Sequence, residues 1–286
     1  MEIIRIPRFM QDISKNYLVR TKKIGFVPTM GALHEGHLSL VRRSREENDI
    51  TVASIFVNPT QFGPNEDFQK YPRDMEGDSE KLRGEGADIL FLPDTGNMYQ
   101  EGHVTHVEVE GMSDKMCGAF RPGHFRGVAT IVAKLFNVVK PTRAYFGQKD
   151  YQQTAVIKRM VSDLNMDIDV VVCPTIREKD GLAMSSRNAY LNPGQREAAA
   201  VIFLCLRETS DLIKSAIIGI QEVKAFMLER LKREPAVSAI EYAGVYDPAT
   251  LDEPVELKDD ILLAVALRMG NTRLIDNMLV TFRKER

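Results

Sequence analysis

The chain has 286 residues, a formal net charge of −2, 44% hydrophobic residues and 27% charged residues. These values are ordinary for a globular protein, and they exclude the broad basic field of a typical nucleic-acid-binding protein. No apolar run reaches the roughly 18 residues needed to cross a bilayer, and no apolar core of a signal peptide follows Met1. We therefore expect a cytoplasmic protein without a nucleic-acid or membrane partner.

Cysteine usage excludes two further classes of protein. Cys117, Cys173 and Cys205 are odd in number, widely spaced and never in a CxxC pair. Neither a disulfide framework nor a zinc ribbon has this pattern. Since Cys173 and Cys205 lie in apolar runs, we expect them to be buried thiols.

Short apolar runs alternate with amphipathic stretches over the first part of the chain. Apolar, β-branched runs predict strands at 24–28, 51–57, 88–93, 143–147 and 169–173. Helical periodicity predicts helices at 37–47, 74–84, 127–140 and 151–165. This alternation favours a parallel sheet covered by helices on both faces, with ligands bound beyond the carboxyl ends of the strands.

The pattern changes near Asp180. Helices are predicted at 193–215 and 221–234, followed by strand-like runs at 240–246 and 261–267. A tail containing Arg273 and Leu274 follows. The sequence thus predicts two domains, an α/β domain over residues 1–176 and a smaller α+β domain over residues 177–286.

The strongest chemical signal is His34-Glu35-Gly36-His37, placed between a predicted strand and a predicted helix. Gly31 and Gly36 allow a ligand to approach the backbone closely. The helix start supplies free N–H groups and a positive dipole end, and two imidazoles can hydrogen-bond phosphate oxygens. A zinc pair is the alternative, but HEGH is not HExxH and no third ligand is evident. Two incidental surface histidines are the other alternative.

A second cluster, Phe56 to Gly63, ends a predicted strand with amide side chains. Asn58 and Gln61 offer uncharged donors and acceptors for hydroxyl or carboxylate groups of a small polar substrate. Turn chemistry is an equal alternative here, because Asn-Pro is itself a turn signal.

Three weaker clusters follow. The segment 121–127 carries Arg126 and His124, which can contact anions or form a plain loop before a helix. Lys149 lies at a helix start, where it can stabilise phosphate charge, while Asp150 can either cap that helix or bind a ribose hydroxyl. Ser185, Ser186 and Arg187 suit phosphate clamping, or else a helix cap beside a surface arginine.

Together these motifs resemble the pantothenate synthetase family, also called pantoate–beta-alanine ligase. The matching segments occur in the family's order and spacing across nearly the whole chain: PTMGALHEGH at 28–37, FVNPTQF at 56–62, RPGHFRGV at 121–128, YFGQKDYQQ at 145–153 and MSSRN at 184–188. HEGH is also a variant of the HxGH signature of a wider nucleotidylyltransferase superfamily. Gln148 and Ile176 depart from the Glu and Val common in the family, without weakening the resemblance.

The resemblance implies a Rossmann-like ATP-binding domain, a smaller C-terminal lid domain and a homodimer. It also implies that ATP, (R)-pantoate and β-alanine give pantothenate, AMP and diphosphate through pantoyl adenylate. Mg²⁺ is implied to bridge the phosphates, with no protein ligand assigned to it.

The resemblance also assigns residue roles. His37, as proton donor, acts with His34, Lys149 and Arg187 on the phosphates. Gln61 and Gln153 bind pantoate, and Gln61 also lies near β-alanine. The ATP-binding residues are Met30, Gly31, Ala32, Leu33, His34, Glu35, Gly36, His37, Gly147, Gln148, Lys149, Asp150, Ile176, Met184, Ser185, Ser186 and Arg187.

Two other functions stay open at this point. Another nucleotidylyltransferase would use a phosphorylated acceptor, which would favour more Arg or Lys than the amide-rich segment from Asn58 to Gln61 provides. A nucleotide-binding regulator with a decayed site is the non-enzymatic alternative, although all the proposed polar residues are present.

Overall fold

A computed structural model describes residues 1–64, 66–215, 218–257 and 260–281. The chain divides into two compact units. The first comprises residues 1–114, 121–148 and 153–174, and the second comprises residues 115–120, 149–152 and 175–286. Lys149 therefore belongs to the second unit, although it lies in the α/β part of the sequence.

The first unit contains a six-stranded sheet in the order β1-β4-β3-β2-β5-β6, and all its strand pairs are parallel. The strands are β1 (Glu2–Ile4), β2 (Ile24–Thr29), β3 (Ile50–Ile55), β4 (Ile89–Phe91), β5 (Arg143–Gly147) and β6 (Asp169–Cys173). Phe26, Val52 and Leu90 are fully buried in it. The strands that contain these residues are continuous apolar runs in the sequence, because a central parallel strand is covered on both faces. The predicted parallel α/β sheet is confirmed.

In chain order, helices separate these strands. They are α1 (Pro7–Val19), α2 (Glu35–Glu47), α3 (Met75–Gly84), α4 (Thr95–Met98), α5 (Cys117–Phe120), α6 (His124–Val139) and α7 (Tyr151–Asp163). Short 3-10 helices span Pro59–Gln61 and Gln148–Asp150. The sequence prediction missed β1 and α1, since β1 has three residues and α1 buries only Met10 and Ser14.

The sheet changes winding direction between β2 and β5, which are neighbours. From β2 the chain continues to β3 on one side, whereas from β5 it continues to β6 on the other. In parallel sheets, the crevice at such a switch point is the usual ligand site, beyond the carboxyl ends of the strands. The segment containing His34 follows β2, and Gln148 follows β5.

The second unit contains an antiparallel sheet in the order β7-β8-β9. Its strands are β7 (Val237–Tyr246), β8 (Ile261–Met269) and β9 (Thr272–Val280). Three further helices are α8 (Pro193–Ala198), α9 (Val201–Ser215) and α10 (Ile220–Lys232), and a 3-10 helix spans Ser186–Tyr190. Side chains of α9, α10 and the sheet form its core, including Leu206, Met227 and Leu263. The predicted α+β organisation is confirmed.

The structure adds detail to two regions of this unit. The helical region predicted at 193–215 consists of two helices, α8 and α9. The tail with Arg273 and Leu274 is the nine-residue strand β9. Its polar residues Asp276 and Asn277 break the apolar alternation that would have indicated a strand, and both are buried.

Candidate active site

The loop after β2 has an unusual backbone that other elements hold in place. Gly31 and Ala32 have positive φ angles of 86° and 51°. Gly31 donates its amide to the Thr29 hydroxyl (3.2 Å). The buried carboxylate of Asp78, on α3, accepts the amides of Ala32 and Leu33, each at 2.7 Å. The predicted ATP segment is therefore held by α3, a contact that the sequence prediction missed.

His34 and His37 are at the N-terminus of α2, where His34 is the N-cap. The Gly36 amide donates to Nδ1 of His34 (3.1 Å), and the His34 amide donates to Nδ1 of His37 (3.4 Å). Because a backbone amide only donates, neither Nδ1 atom carries a proton in this arrangement. Each neutral ring therefore carries its proton on Nε2, which makes Nε2 the donor of each imidazole.

The spacing H-x-G-H has a steric reason in this loop. The two imidazole rings lie 4.1 Å apart, centroid to centroid. A Cβ atom at Gly36 would lie 2.9 Å from Cε1 of His34, closer than real Cβ contacts. The glycine therefore lets the His34 ring fold over the helix start.

Glu35, between the two histidines, has its carboxylate paired with Arg42. Arg42 also binds Glu85 (2.6 Å). The Glu35 side chain is thus engaged within the protein, so its backbone is the part suited to contact a phosphate.

Asn58 and Gln61 form a buried amide pair after β3. Asn58 Nδ2 donates to Gln61 Oε1 (3.1 Å) and to the Gly127 carbonyl (3.1 Å), and Asn58 Oδ1 accepts from the Tyr99 hydroxyl (2.8 Å). Gln61 Nε2 then donates to the Met30 sulfur (3.0 Å). Because Asn58 occupies the oxygen of Gln61, the Gln61 side chain presents an N–H group.

The turn chemistry that was the alternative for this segment is present in the structure. Asn58 does accept the Thr60 amide (3.4 Å), as turn chemistry predicts. Asn58 is only 1% exposed, however, and its side-chain amide also contacts Gln61, the Gly127 carbonyl and the Tyr99 hydroxyl. The residue therefore does both: it shapes the turn and it sets the orientation of Gln61.

Tyr99 was missed in the sequence because no motif contains it. Burial raises the pKa of its hydroxyl, with hydrogen bonds to Thr60 and Asn58 partly offsetting that effect. Tyr99 therefore stays protonated and donates to Asn58. Lys134 lies 5.3 Å from the centroid of its ring.

The segment from Arg121 to Gly127 supports Gln61 from its backbone side. His124 Nδ1 bonds the Gln61 carbonyl (2.8 Å), and Arg121 Nη2 donates to the same oxygen (3.3 Å). A Cβ at Gly127 would lie 2.4 Å from the Thr60 carbonyl oxygen, so the glycine allows α6 to approach this turn. These residues face protein groups, whereas the sequence had left anion contacts open.

Glu66 neutralises Arg121 through two hydrogen bonds, of 2.8 and 2.5 Å. Burial alone would raise the pKa of Glu66, but the bonds and charge of Arg121 outweigh it and hold that pKa below its ordinary value. The loop that follows Gln61 is thereby tied to the start of α6.

Gly147 ends β5, at the same edge of the sheet as the loop after β2. Gln148 begins the 3-10 helix that follows, and Gln153 is in the first turn of α7. Both Gln148 and Gln153 belong to the first unit.

The remaining predicted residues belong to the second unit. Lys149 Nζ lies 3.5 Å from Asp150, and its side chain is 19% exposed. Ile176 and Met184 are joined by a backbone bond of 3.0 Å, from the Met184 amide to the Ile176 carbonyl. The Ser185 hydroxyl accepts the Arg187 amide (3.3 Å), so the predicted cap is present; Ser186 begins the 3-10 helix.

Two other features are missing from the part of the chain that the structure describes. Among those residues, no group of three or more His, Cys, Asp or Glu side chains could hold a metal ion. In the same part of the chain, no helix is long and apolar enough to span a membrane.

At the switch point of the parallel sheet, a loop with glycines leads into a helix that begins with the HxGH motif. This arrangement defines the class of α/β nucleotide-binding enzymes with HxGH-type sites. The family model described as pantoate-beta-alanine ligase matches residues 2–279. The chain belongs to the pantoate–beta-alanine ligase family.

Similar proteins are named pantothenate synthetase. The chain is 61% identical over 280 residues to the pantothenate synthetase of Thermodesulfovibrio yellowstonii, covering 98% of this chain and 100% of the relative. Identity to the pantothenate synthetase of Acetivibrio thermocellus is 52%, with 97% and 99% of the two chains covered.

Solved structures agree with the fold. A pantothenate synthetase from Thermus thermophilus has a TM-score of 0.93 at 44% identity, over 99% of this chain and 100% of that one. The pantoate-beta-alanine ligase of Francisella tularensis, complexed with beta-gamma ATP and beta-alanine, has a TM-score of 0.80 at 37% identity, over 98% and 97% of the chains.

Proposed function

We propose that this protein joins (R)-pantoate to β-alanine with ATP, giving pantothenate, AMP and diphosphate. The observation that carries the proposal is the contact between Gln61 and Met30 (3.0 Å). The contact supports the proposal because the Gln61 amide, a group suited to bind a small hydroxy acid, lies against Met30, the first residue of the segment that we assign to ATP. The relative that binds beta-gamma ATP and beta-alanine supports the same substrates.

In the first step, the pantoate carboxylate attacks the α-phosphorus of ATP and diphosphate leaves. Two anions repel each other, so the reaction needs donors aimed at the phosphate oxygens. His34 and His37 supply Nε2–H groups there, and the positive dipole end at the start of α2 adds partial positive charge. We assign proton donation to His37.

Further residues act on the nucleotide from other segments. Lys149 and Arg187 bind phosphate oxygens, and the backbone of Gly147, Gln148 and Asp150 binds ATP. Ile176 contacts the adenine end. Met184, Ser185 and Ser186 bind ATP beside Arg187. In the second step, the β-alanine amine attacks the acyl carbon of pantoyl adenylate and AMP leaves.

Gln61 and Gln153 bind pantoate, and Gln61 lies near β-alanine. Asn58 contributes through Gln61, because its amide nitrogen occupies the Gln61 oxygen. Gln61 therefore recognises an acceptor atom of the substrate, a hydroxyl or carboxylate oxygen.

Mg²⁺ accompanies ATP in this proposal. Among the described residues no cluster of acidic, histidine or cysteine side chains suits a metal ion. No protein ligand is assigned to it, and when bound with ATP it would supply charge neutralisation of the phosphates.

The proposal extends to organisation in the cell. We assign ATP and pantoate binding to residues 1–176 and a lid role to residues 177–286. The protein acts as a homodimer in the cytoplasm, which light scattering of the purified protein and fractionation of the source cells would test.

The reaction is tested with purified protein, Mg²⁺ and the three substrates. Continuous release of AMP and diphosphate is expected only when both pantoate and β-alanine accompany ATP, because β-alanine is needed to discharge the adenylate. Release of ADP, or turnover with a phosphorylated acceptor in place of pantoate, would refute the proposal. His37→Ala lowers kcat by orders of magnitude without unfolding the protein, and near-normal turnover of that variant would remove His37 from the mechanism.

A further inference from the structure

Asn277 of β9 bonds the backbone of the lysine proposed to act on phosphate. Its Nδ2 donates to the carbonyl oxygen of Lys149 at 2.8 Å. Both residues belong to the second unit. Asn277 is 3% exposed, so this contact is shielded from water, and water competes little for the hydrogen bond.

The backbone of Asn277 is itself held rigidly. β9 is an edge strand. The Asn277 amide donates to Asp276 Oδ1 (2.8 Å), and Arg177 Nη2 donates to the Asn277 carbonyl (3.4 Å). Asp276 and Arg177 complete a bidentate pair, with N–O distances of 2.5 and 3.1 Å. The ion pair of Arg177 and Asp276 thus bonds the backbone of Asn277 at the outer edge of β9.

The same ion pair organises a second predicted ATP segment. Arg177 Nη1 donates to the Gly181 carbonyl (3.0 Å), and the guanidinium stacks 4.3 Å from the Phe203 ring centroid. Arg177 pairs antiparallel with Ala183, in the same hairpin in which the Met184 amide bonds the Ile176 carbonyl. Two nucleotide-binding segments therefore share one anchor on β9.

Lys149 needs such an anchor because of where it lies. It is in a three-residue 3-10 helix, Gln148–Asp150, rather than inside a long helix or a strand. Fixing its carbonyl fixes the orientation of its peptide unit, and thereby the direction in which the long side chain leaves the backbone.

We propose that Asn277 is a positioning residue for ATP: through its bond to the Lys149 carbonyl, braced by Asp276 and Arg177, it directs the Lys149 ammonium at the phosphates. This inference rests on the proposed function, in which Lys149 binds phosphate. Asn277 itself touches no reacting atom.

A double-mutant cycle tests the inference. The four proteins are the wild type, Lys149→Ala, Asn277→Ala and the double variant. The first readout is pantoate-dependent exchange of labelled diphosphate into ATP without β-alanine, which isolates the first step. The second readout is the Kd of ATP, measured by calorimetry.

Two further variants complete the design. Asn277→Leu has a similar volume but no donor, and it replaces Asn277→Ala if the alanine variant does not fold. Thr272→Val is the control, because Thr272 is a buried polar residue at the other end of β9.

Asn277→Ala should slow exchange by about tenfold to a hundredfold in the wild-type background, and hardly at all when Lys149 is already alanine. The control should exchange at the wild-type rate. An equal loss in both backgrounds, or no loss in either, overturns the inference. If the wild type shows no pantoate-dependent exchange, the proposed function fails, and the same cycle on the Kd of ATP still decides whether Asn277 acts through Lys149.

Discussion

The buried carboxylate of Asp78 accepts a 2.7 Å hydrogen bond from the amide of Leu33, across 45 positions of sequence. Its other oxygen accepts the Ala32 amide at the same distance. One turn later, Lys81 donates to the Leu33 carbonyl (2.9 Å). Helix α3 thus satisfies the backbone groups of a loop that contains two residues at positive φ.

Asp78→Ala should lower stability and weaken ATP binding together. It removes the acceptor of the buried Leu33 amide, at about 1–3 kcal/mol, and a second acceptor from the part-buried Ala32 amide. Asp78→Asn keeps one acceptor oxygen and should lie between the alanine variant and the wild type. Urea unfolding gives the free energy, and steady-state kinetics give the KM for ATP.

Asp74→Ala is the matched control for that comparison. Asp74 caps α3 through the Gly77 amide (3.0 Å) and makes no such bond to the loop. Losing the cap costs about 1 kcal/mol. An equal rise in the KM for ATP in both alanine variants would contradict a specific role of Asp78 in the loop.

Gly36→Ala should separate stability from activity. Alanine is favoured over glycine within a helix by about 0.5–1 kcal/mol, a gain in the stability of α2 that the loss of the His34 cap on the residue 36 amide partly offsets. The new methyl group displaces the His34 ring, which it would otherwise meet at 2.9 Å. We expect a loss in kcat of up to about a hundredfold without a fall in Tm.

Gly84→Ala provides the comparison. Gly84 is also in a helix, α3, and a Cβ there meets nothing within 4 Å. This variant should gain similar stability with unchanged kcat. Full activity of Gly36→Ala would show that the His34 ring position is not needed.

The parallel sheet and the position of the HxGH motif between a strand and a helix were predictable because their signals are local. Continuous apolar runs such as 24–28 mark buried parallel strands, and His34, Gly36 and His37 lie in one short motif. β9 was not predictable in this way, because Asp276 and Asn277 lie buried where an apolar alternation was expected. Their burial is explained by Arg177, which is distant in sequence.

The positioning residues of the site were missed for a related reason. Asp78 and Tyr99 act through long-range hydrogen bonds, which leave no spacing pattern in one sequence. The sequence could identify Gln61 as an amide near a strand end. It could not show that Asn58 occupies the Gln61 oxygen, since that depends on which donors surround Asn58 in the fold.

Tyr99→Phe should raise the KM for pantoate more than it lowers stability. The variant removes the hydroxyl that donates to Asn58 Oδ1, so the orientation of the Asn58 and Gln61 amides is less restricted. A hydrogen bond of this kind contributes about 0.5–1.5 kcal/mol, or roughly twofold to tenfold in KM. The KM for ATP should change little.

Tyr145→Phe is the control for Tyr99. The Tyr145 hydroxyl is also bonded inside the first unit, to Glu47 (2.8 Å) and Asn48 (2.7 Å), but these lie at the far end of α2 from His34. This variant should lose stability with an unchanged KM for pantoate. If both variants shift that KM equally, the effect is general rather than a consequence of the Asn58 contact.

Glu66→Gln should destabilise the protein at neutral pH, and the difference from the wild type should narrow in acid. The pKa of Glu66 is lowered in the folded state, with Arg121 outweighing the effect of burial. A lowered pKa gives stability that is fully present above the unfolded value, about 4.3, and is lost as the pH falls through the folded value. Because the Glu66 side chain is 25% exposed, we expect Glu66→Gln to lower the free energy of unfolding by about 1–3 kcal/mol at pH 7.

The same variant should also raise the KM for pantoate, since Arg121 supports the Gln61 carbonyl. Unfolding by urea between pH 3 and pH 7 measures the difference, with Glu229→Gln as the control in an ion pair that is 68% exposed and should contribute little. A difference that stays constant across this pH range would show that the charge of Glu66 is not what stabilises the loop.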